Sequence, residues 1–315
     1  MKIKTIYANP EQFEITKLTG GYLGGAQKVT VKNSHEQYTL KSMGNTSKKI
    51  SRALPLLKHI QEFGRFCTHM AHLVDWEILD DGTLFTLFEY IENTEDRLAT
   101  ISEMIQISTE SFLASKQYDF TQISPEVDYT KTTLHEIKNN GIERYSDTYF
   151  LPYITEETEA VIDWMSCWAN YFIHDMTFRQ QYLACAGFIH RDIHRHNIVI
   201  HNQEPYLIDF DFCGIDCRLI EITRPTNVYI EPHDFMPMYT KAKEVNAPHF
   251  SETEQAIIDR VLVLDIMANL GWEANEIYQA EEGEYKNEII DFLQKRLFYL
   301  HQLMTNRKQF NLDFV

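Results

Sequence analysis

Residues 188–211 read FIHRDIHRHNIVIHNQEPYLIDFD, and this stretch decides how the rest of the chain is understood. His190, Asp192 and Asn197 stand in the order H-x-D-x-x-x-x-N, and Asp209-Phe210-Asp211 begins twelve residues after Asn197. Two short apolar runs lie between them, Asn197–Ile200 and Pro205–Ile208, with Asn202-Gln203-Glu204 as the turn. That pattern predicts a small β-ribbon. A ribbon that goes out and returns brings Asn197 and Asp209 to the same end.

Those residue types suit phosphoryl transfer. The reaction asks little covalent chemistry of a protein; it needs a carboxylate to orient an attacking hydroxyl and oxygen ligands for a divalent cation on the phosphates. Asp192 fits the first need. Asn197 and Asp209 fit the second, an amide oxygen and a carboxylate being hard donors suited to Mg²⁺. Asp211 reads as a supporting hydrogen-bond acceptor or a further metal ligand.

The segment resembles the catalytic and metal-binding loops of the protein-kinase-like superfamily, and more narrowly its aminoglycoside phosphotransferase and choline kinase branch. The branch carries a histidine two residues after the catalytic aspartate, matched by His194. It also replaces D-F-G with an I-D-(F/W)-(D/E) tetrad, matched by Ile208-Asp209-Phe210-Asp211. The resemblance implies that Asp192 is the catalytic base and that Asn197 and Asp209 hold the metal. His190 would hydrogen-bond backbone near the metal aspartate. Lys41 would reach the α- and β-phosphates, and ATP (GTP being the alternative) with Mg²⁺ would be the cofactors.

Working outward, the first ninety residues read as strands with one helix. Strands are expected at residues 13–18, 28–32, 38–41, 73–79 and 83–90, with hairpin turns at Asn33–Glu36 and Asp80-Asp81-Gly82. Ile50, Ala53, Leu54, Leu57 and Ile60 recur at helical spacing, which predicts a helix over Ser47–Phe63 kinked or broken at Pro55. Gly20, Gly21, Gly24 and Gly25 make a glycine-rich turn that could let backbone N–H groups approach phosphate. It matches neither G-x-G-x-x-G nor a Walker A loop. The chain near Glu89–Ile91 reads as the hinge against which adenine would lie.

From Glu95 the period becomes helical, with helices expected over roughly 97–117, 156–186, 252–270 and 284–305. About a hundred residues separate the hinge from Asp192, roughly twice the span in protein kinases, and the resemblance assigns the extra helices to an acceptor pocket. The expected fold is α+β and bilobal: residues 1–91 a β-rich nucleotide-binding lobe, residues 92–315 a mainly helical catalytic and acceptor-binding lobe. No run of apolar residues is long enough to span a membrane and no secretory signal opens the chain, so a cytoplasmic location is expected. Five scattered cysteines fit reduced thiols better than a disulfide framework or a metal site.

The net charge of −17 is uneven: residues 1–91 sum to +2 and residues 92–315 to −19. Such a surface disfavours nucleic acid and anionic membrane as partners; it serves solubility alone or also concentrates a cationic substrate. Taken with the resemblance, the expected acceptor is a small cationic alcohol such as an aminoglycoside, amino sugar or amino alcohol. One departure from the pattern favours a rival. The first two turns of the expected 47–63 helix, Ser47 to Ala53, hold no acid to pair with Lys41, and Glu62 lies at the far end. Either another carboxylate orients Lys41 or turnover is weak, as in a structural protein of the spore-coat-associated kind. A protein Ser/Thr kinase is disfavoured, since D-F-G and A-P-E are both missing. The sequence assigns no oligomeric state.

Overall fold

The computed structural model describes residues 1–18, 25–119, 128–130, 133–134 and 150–313. At the N-terminus Ile3–Ala8 forms a short helix, α1, that the sequence reading did not anticipate. Asp75 explains it: its carboxylate accepts from the Ile3 N–H at 2.8 Å and from Lys2 Nζ at 2.6 Å, tying the first turn to the sheet. β1 (Phe13–Lys17), β2 (Ala26–Val31), β3 (Gln37–Gly44), β4 (Leu73–Ile78) and β5 (Leu84–Glu89) form one antiparallel sheet in the order β1-β2-β3-β5-β4.

Strand alternation gives this sheet two apolar faces. Val29, Leu40 and Leu87 point to one face with Phe13, where Ile3 and Ile6 of α1 cover them. Leu73 and Leu84 point to the other, where α2 (Ser47–Phe63) lays down Ala53, Leu56, Leu57, Ile60 and Phe63. The expected break at Pro55 does not occur; the helix runs through it. One missing N–H is offset by the buried apolar stripe on either side of the proline. Lys41, expected at a strand end, stands inside β3 opposite Ala26 and Thr86.

The helical part begins with α3 (Ile101–Gln117), started by a capping box between Thr100 and Glu103. The helix expected over 156–186 is two, α4 (Val161–His174) and α5 (Met176–Ala184). Asp175 divides them: it ends α4 and accepts from the Phe178 N–H at 2.5 Å to start α5. After α5 come β6 (Ala186–Ile189), β7 (Ile198–His201), β8 (Glu204–Leu207) and β9 (Gly214–Cys217). α6 (Ile220–Thr223), α7 (Pro232–Asn246), α8 (Glu252–Gln279) and α9 (Glu284–Thr305) complete the chain. α8 outruns its expected end at 270, because Leu270, Ala274 and Ile277 continue its buried stripe beyond Gly271. Among the described residues no helix is long and apolar enough to cross a membrane, and four of the five free cysteines are buried.

Two small strand pairs place the site. β6 pairs with β9, Ala186 to Ile189 facing Cys217 to Gly214. β7 pairs with β8 as the predicted ribbon, closed by Asn202 (φ 51°) and Gln203 (φ 70°). Successive left-handed residues are what a two-residue hairpin loop requires. The ribbon is also bonded to chain from the first hundred residues: Ala71 N–H donates to Leu207 O, Leu207 N–H to His69 O and Thr94 N–H to Ile200 O, at 2.8–2.9 Å.

Gly187 in β6 has no room for a side chain, since a Cβ there would lie 2.1 Å from Ser115 Oγ and 3.3 Å from Ser115 O. Gly187→Ala is expected to destabilise the fold by about 1–3 kcal/mol, as over-packed positions do, through a lower denaturation midpoint at unchanged slope.

Candidate active site

The loop 190–197 runs from β6 to β7, and the loop 208–213 runs from β8 to β9. Because β6 pairs with β9 and β7 with β8, the two loops lie side by side. Two hydrogen bonds stitch them, and a third braces the first loop. Ile208 N–H donates to Asn197 O at 2.9 Å, His190 Nε2 lies 3.1 Å from Ile208 O, and Asp192 N–H donates to His190 Nδ1 at 3.3 Å. His190 is fully buried, and burial holds its imidazole below the usual histidine range, hence neutral. Its ring meets Phe210 edge-on, and Phe210 stacks on Phe88 of β5.

Asp192 is held at its carboxylate by two side chains. Asn197 Nδ2 donates to Oδ2 and to the Asp192 carbonyl, both at 2.9 Å. His194 Nε2 lies 3.5 Å from the same Oδ2. His194 Nδ1 accepts from the His196 N–H at 3.2 Å, so the ring proton sits on the nitrogen facing Asp192. Burial works against ionisation of Asp192, but the hydrogen bond from His194 outweighs it, with help from the charge of Arg224. The carboxyl stays below its ordinary value and is ionised near neutrality.

Asp209 adopts φ 64°, a left-handed conformation that aspartate tolerates better than most residues. Its Oδ1 lies 2.8 Å from Lys41 Nζ, and Asp211 Oδ2 lies 2.7 Å from the same nitrogen. Burial pulls the Lys41 amine down; the two carboxylates more than reverse it, so the amine is charged. Glu62 is engaged elsewhere, accepting from Tyr118 OH at 3.1 Å. The carboxylates at Lys41 thus come from the 208–213 loop and not from α2. Of the other expected nucleotide contacts, Glu89 and Ile91 lie at the end of β5 and just beyond it. Gly20 and Gly21 lie outside the described residues.

The donor set fits a hard divalent cation. Asn197 spends its amide nitrogen on Asp192, which leaves Oδ1 as the coordinating atom, and Asp209 offers a carboxylate. Among the described residues no group of three or more His, Cys, Asp and Glu side chains converges as a metal site. An ion here would take its remaining oxygens from phosphate or water.

Behind Asp192 lies a clamp built on two buried acids. Arg191 has φ 65° and turns inward. Its guanidinium lies 3.2 Å from Asp216 Oδ2 and 3.8 Å over the Tyr129 ring, and its N–H donates to Glu221 Oε1 at 2.9 Å. Asp216 also accepts from Thr133 at 2.7 Å and Tyr182 at 2.6 Å; Glu221 accepts from Ser111. A left-handed arginine is costly, and these contacts over-determine it. A second group lies in front. Tyr229 (φ 56°) packs against His194, His196 and Phe292 with ring centroids 4.6–4.9 Å apart. Phe292, on α9, carried no signal in the sequence.

Residues 124–240 match the family profile described as the phosphotransferase enzyme family. The fold agrees along nearly the whole chain. An amicoumacin kinase solved with AMP-PNP, Ca²⁺ and Ami superposes with a TM-score of 0.59 at 15% identity, covering 96% of this chain and 97% of that one. A microcompartment-associated aminopropanol kinase gives 0.61 at 11%, covering 96% and 98%. An ethanolamine kinase of Plasmodium vivax gives 0.61 at 11%, covering 96% and 87%. No curated protein sequence matches the chain. The bilobal α+β expectation and the resemblance read from residues 188–211 both stand.

The Glu221 carboxyl is fully buried, and burial pushes it up to about 7. Between its ordinary value of 4.5 and about 7 the folded chain therefore binds more protons there than the unfolded chain. Stability should fall as pH rises through that window, by on the order of 3 kcal/mol at about 1.4 kcal/mol per pH unit, and level off above it. Glu221→Gln should flatten this part of the profile, read from denaturant unfolding at pH 5, 6, 7 and 8.

Proposed function

We propose that the chain is a small-molecule kinase that moves the γ-phosphoryl of ATP to a hydroxyl of a small cationic acceptor. The observation that carries this reading is the meeting of Asp192, held ionised by His194 and Asn197, with the Lys41–Asp209–Asp211 cluster on the adjoining loop. Residues 1–91 would form the nucleotide lobe and residues 92–315 the catalytic and acceptor lobe. The Glu89 N–H donates to His72 O and the Tyr90 N–H to Gln37 O, so an adenine would take its backbone donor from Ile91.

In the reaction the acceptor hydroxyl gives its proton to Asp192 as its oxygen bonds to the γ-phosphorus. The bond from that phosphorus to the bridging oxygen breaks, and ADP leaves with the electron pair. Asn197 Oδ1 and Asp209 would hold Mg²⁺, which when bound neutralises charge on the phosphates. Lys41 would lie along the α- and β-phosphates, Gly20 and Gly21 would cover them, and His190 and His194 would fix the two loops and the base. GTP is the alternative donor.

The acceptor side supports a cation. The second lobe carries the excess of acid, and the Tyr229 ring beside His194 offers an aromatic face on which an ammonium gains about 0.5–2 kcal/mol. The aminopropanol and ethanolamine kinases named above are likewise named for amino alcohols.

Nucleotide consumption over a panel of amino sugars, amino alcohols and amino acids tests the reading. At least one acceptor should raise turnover, and Asp192→Asn should lower that rate by about 10²–10⁴-fold while nucleotide affinity holds. Equal rates for the two proteins across the panel would move the chain to a structural role. Tyr229→Ala should raise KM for the acceptor by about 3- to 30-fold and leave KM for the nucleotide alone.

A further inference from the structure

We infer that Asp211 is the positioning residue of Lys41, taking the place of the helix carboxylate that α2 lacks. The inference rests on the kinase reading. It assigns to the second acid of the 209–211 triplet a task on the lysine and not on the metal.

Three observations converge. The first two turns of α2 contain no acid, and Glu62, in its last turn, accepts from Tyr118 OH at 3.1 Å and lies 3.9 Å from Lys58. Lys41 Nζ instead meets both Asp209 and Asp211. These two carboxylates are not equivalent. Asp209 is 39% exposed, whereas Asp211 is 18% exposed and the lysine 17%. The exposed one is the one a metal can reach from the cleft; the recessed one is packed with the amine.

The consequence concerns order of binding. A divalent cation engaging Asp209 competes with Lys41 for the same carboxylate. A lysine tethered by Asp209 alone would be released just when the phosphates arrive. With Asp211 holding on, Lys41 keeps its place on β3 as Asp209 changes partner. One carboxylate exchanges and the other stays.

A double-mutant cycle on a fluorescent ATP analogue in Mg²⁺ reads this directly. Asp211→Asn and Lys41→Met should each weaken binding by about tenfold, the loss of one charge-assisted contact, and together they should be no worse than Lys41→Met. Losses that multiply would overturn the inference. Mn²⁺ affinity by electron paramagnetic resonance separates the roles: Asp211→Asn should stay within about twofold of wild type and Asp209→Asn should fall by about tenfold or more. Equal losses would make Asp211 a metal ligand and end the proposal.

A wild type that binds no nucleotide would sink the kinase reading, and the lysine then decides by itself. In saturating Mn²⁺, acetylation of Lys41 mapped by mass spectrometry should run several-fold faster in Asp211→Asn than in wild type. Equal rates would refute the tether. Asp211→Asn is isosteric, and Asp211→Ser gives the same comparison if it fails to fold.

Discussion

Everything chemical in this protein depends on two loops being strung between the same two strand pairs. Loop 190–197 starts from β6 and ends in β7, and loop 208–213 starts from β8 and ends in β9. Since β6 bonds to β9 and β7 to β8, each loop has both ends fixed beside the ends of the other. Main-chain bonds, not side chains, bring Asn197 next to Ile208 and so position Asp192 beside the 209–211 triplet. The loops are then free to carry polar residues and left-handed turns that a strand would refuse.

The charges around those loops are arranged by depth. In front, Asp192, Asp209, Asp211 and Lys41 remain partly exposed. Behind, Asp216 and Glu221 are removed from water; Asp216 meets the Arg191 guanidinium and Glu221 accepts from the Arg191 backbone N–H, just before Asp192. Pairing a guanidinium with a buried carboxylate is weak as a source of stability, because desolvation consumes most of the attraction. Its return is geometric: the residue before Asp192 is held at a φ it would not choose alone.

How much of this was readable in the residues follows from how local each determinant is. The ribbon, the sheet strands, α2 and α9 rest on periodicity and turn chemistry within a dozen residues, and their bounds came out close. The same holds for Asp192, Asn197 and Asp209, whose spacing is set by the ribbon between them. β6 and β9 were missed because they are four residues each and pair across the intervening ribbon. α1 was missed because its start depends on Asp75, some seventy residues away. The inward turn of Arg191 was not readable because its partners, Tyr129, Asp216 and Glu221, are scattered along the chain. The partner of Lys41 was left open, and it lay in the triplet already singled out for the metal.

The ribbon β7–β8 has a mechanical side as well. Its outer edges are not free: one is bonded at His69 and Ala71, the other at Thr94, all from chain that leads into or out of the sheet. A seam of this kind resists sliding, because any slip along it would break several backbone bonds at once. Turning about the seam keeps these backbone bonds but pulls on the Lys41 ion pairs and on the Phe88–Phe210 stack. The ribbon thus acts as a pin that fixes the alignment of the sheet, and those contacts act as the latch that sets its angle.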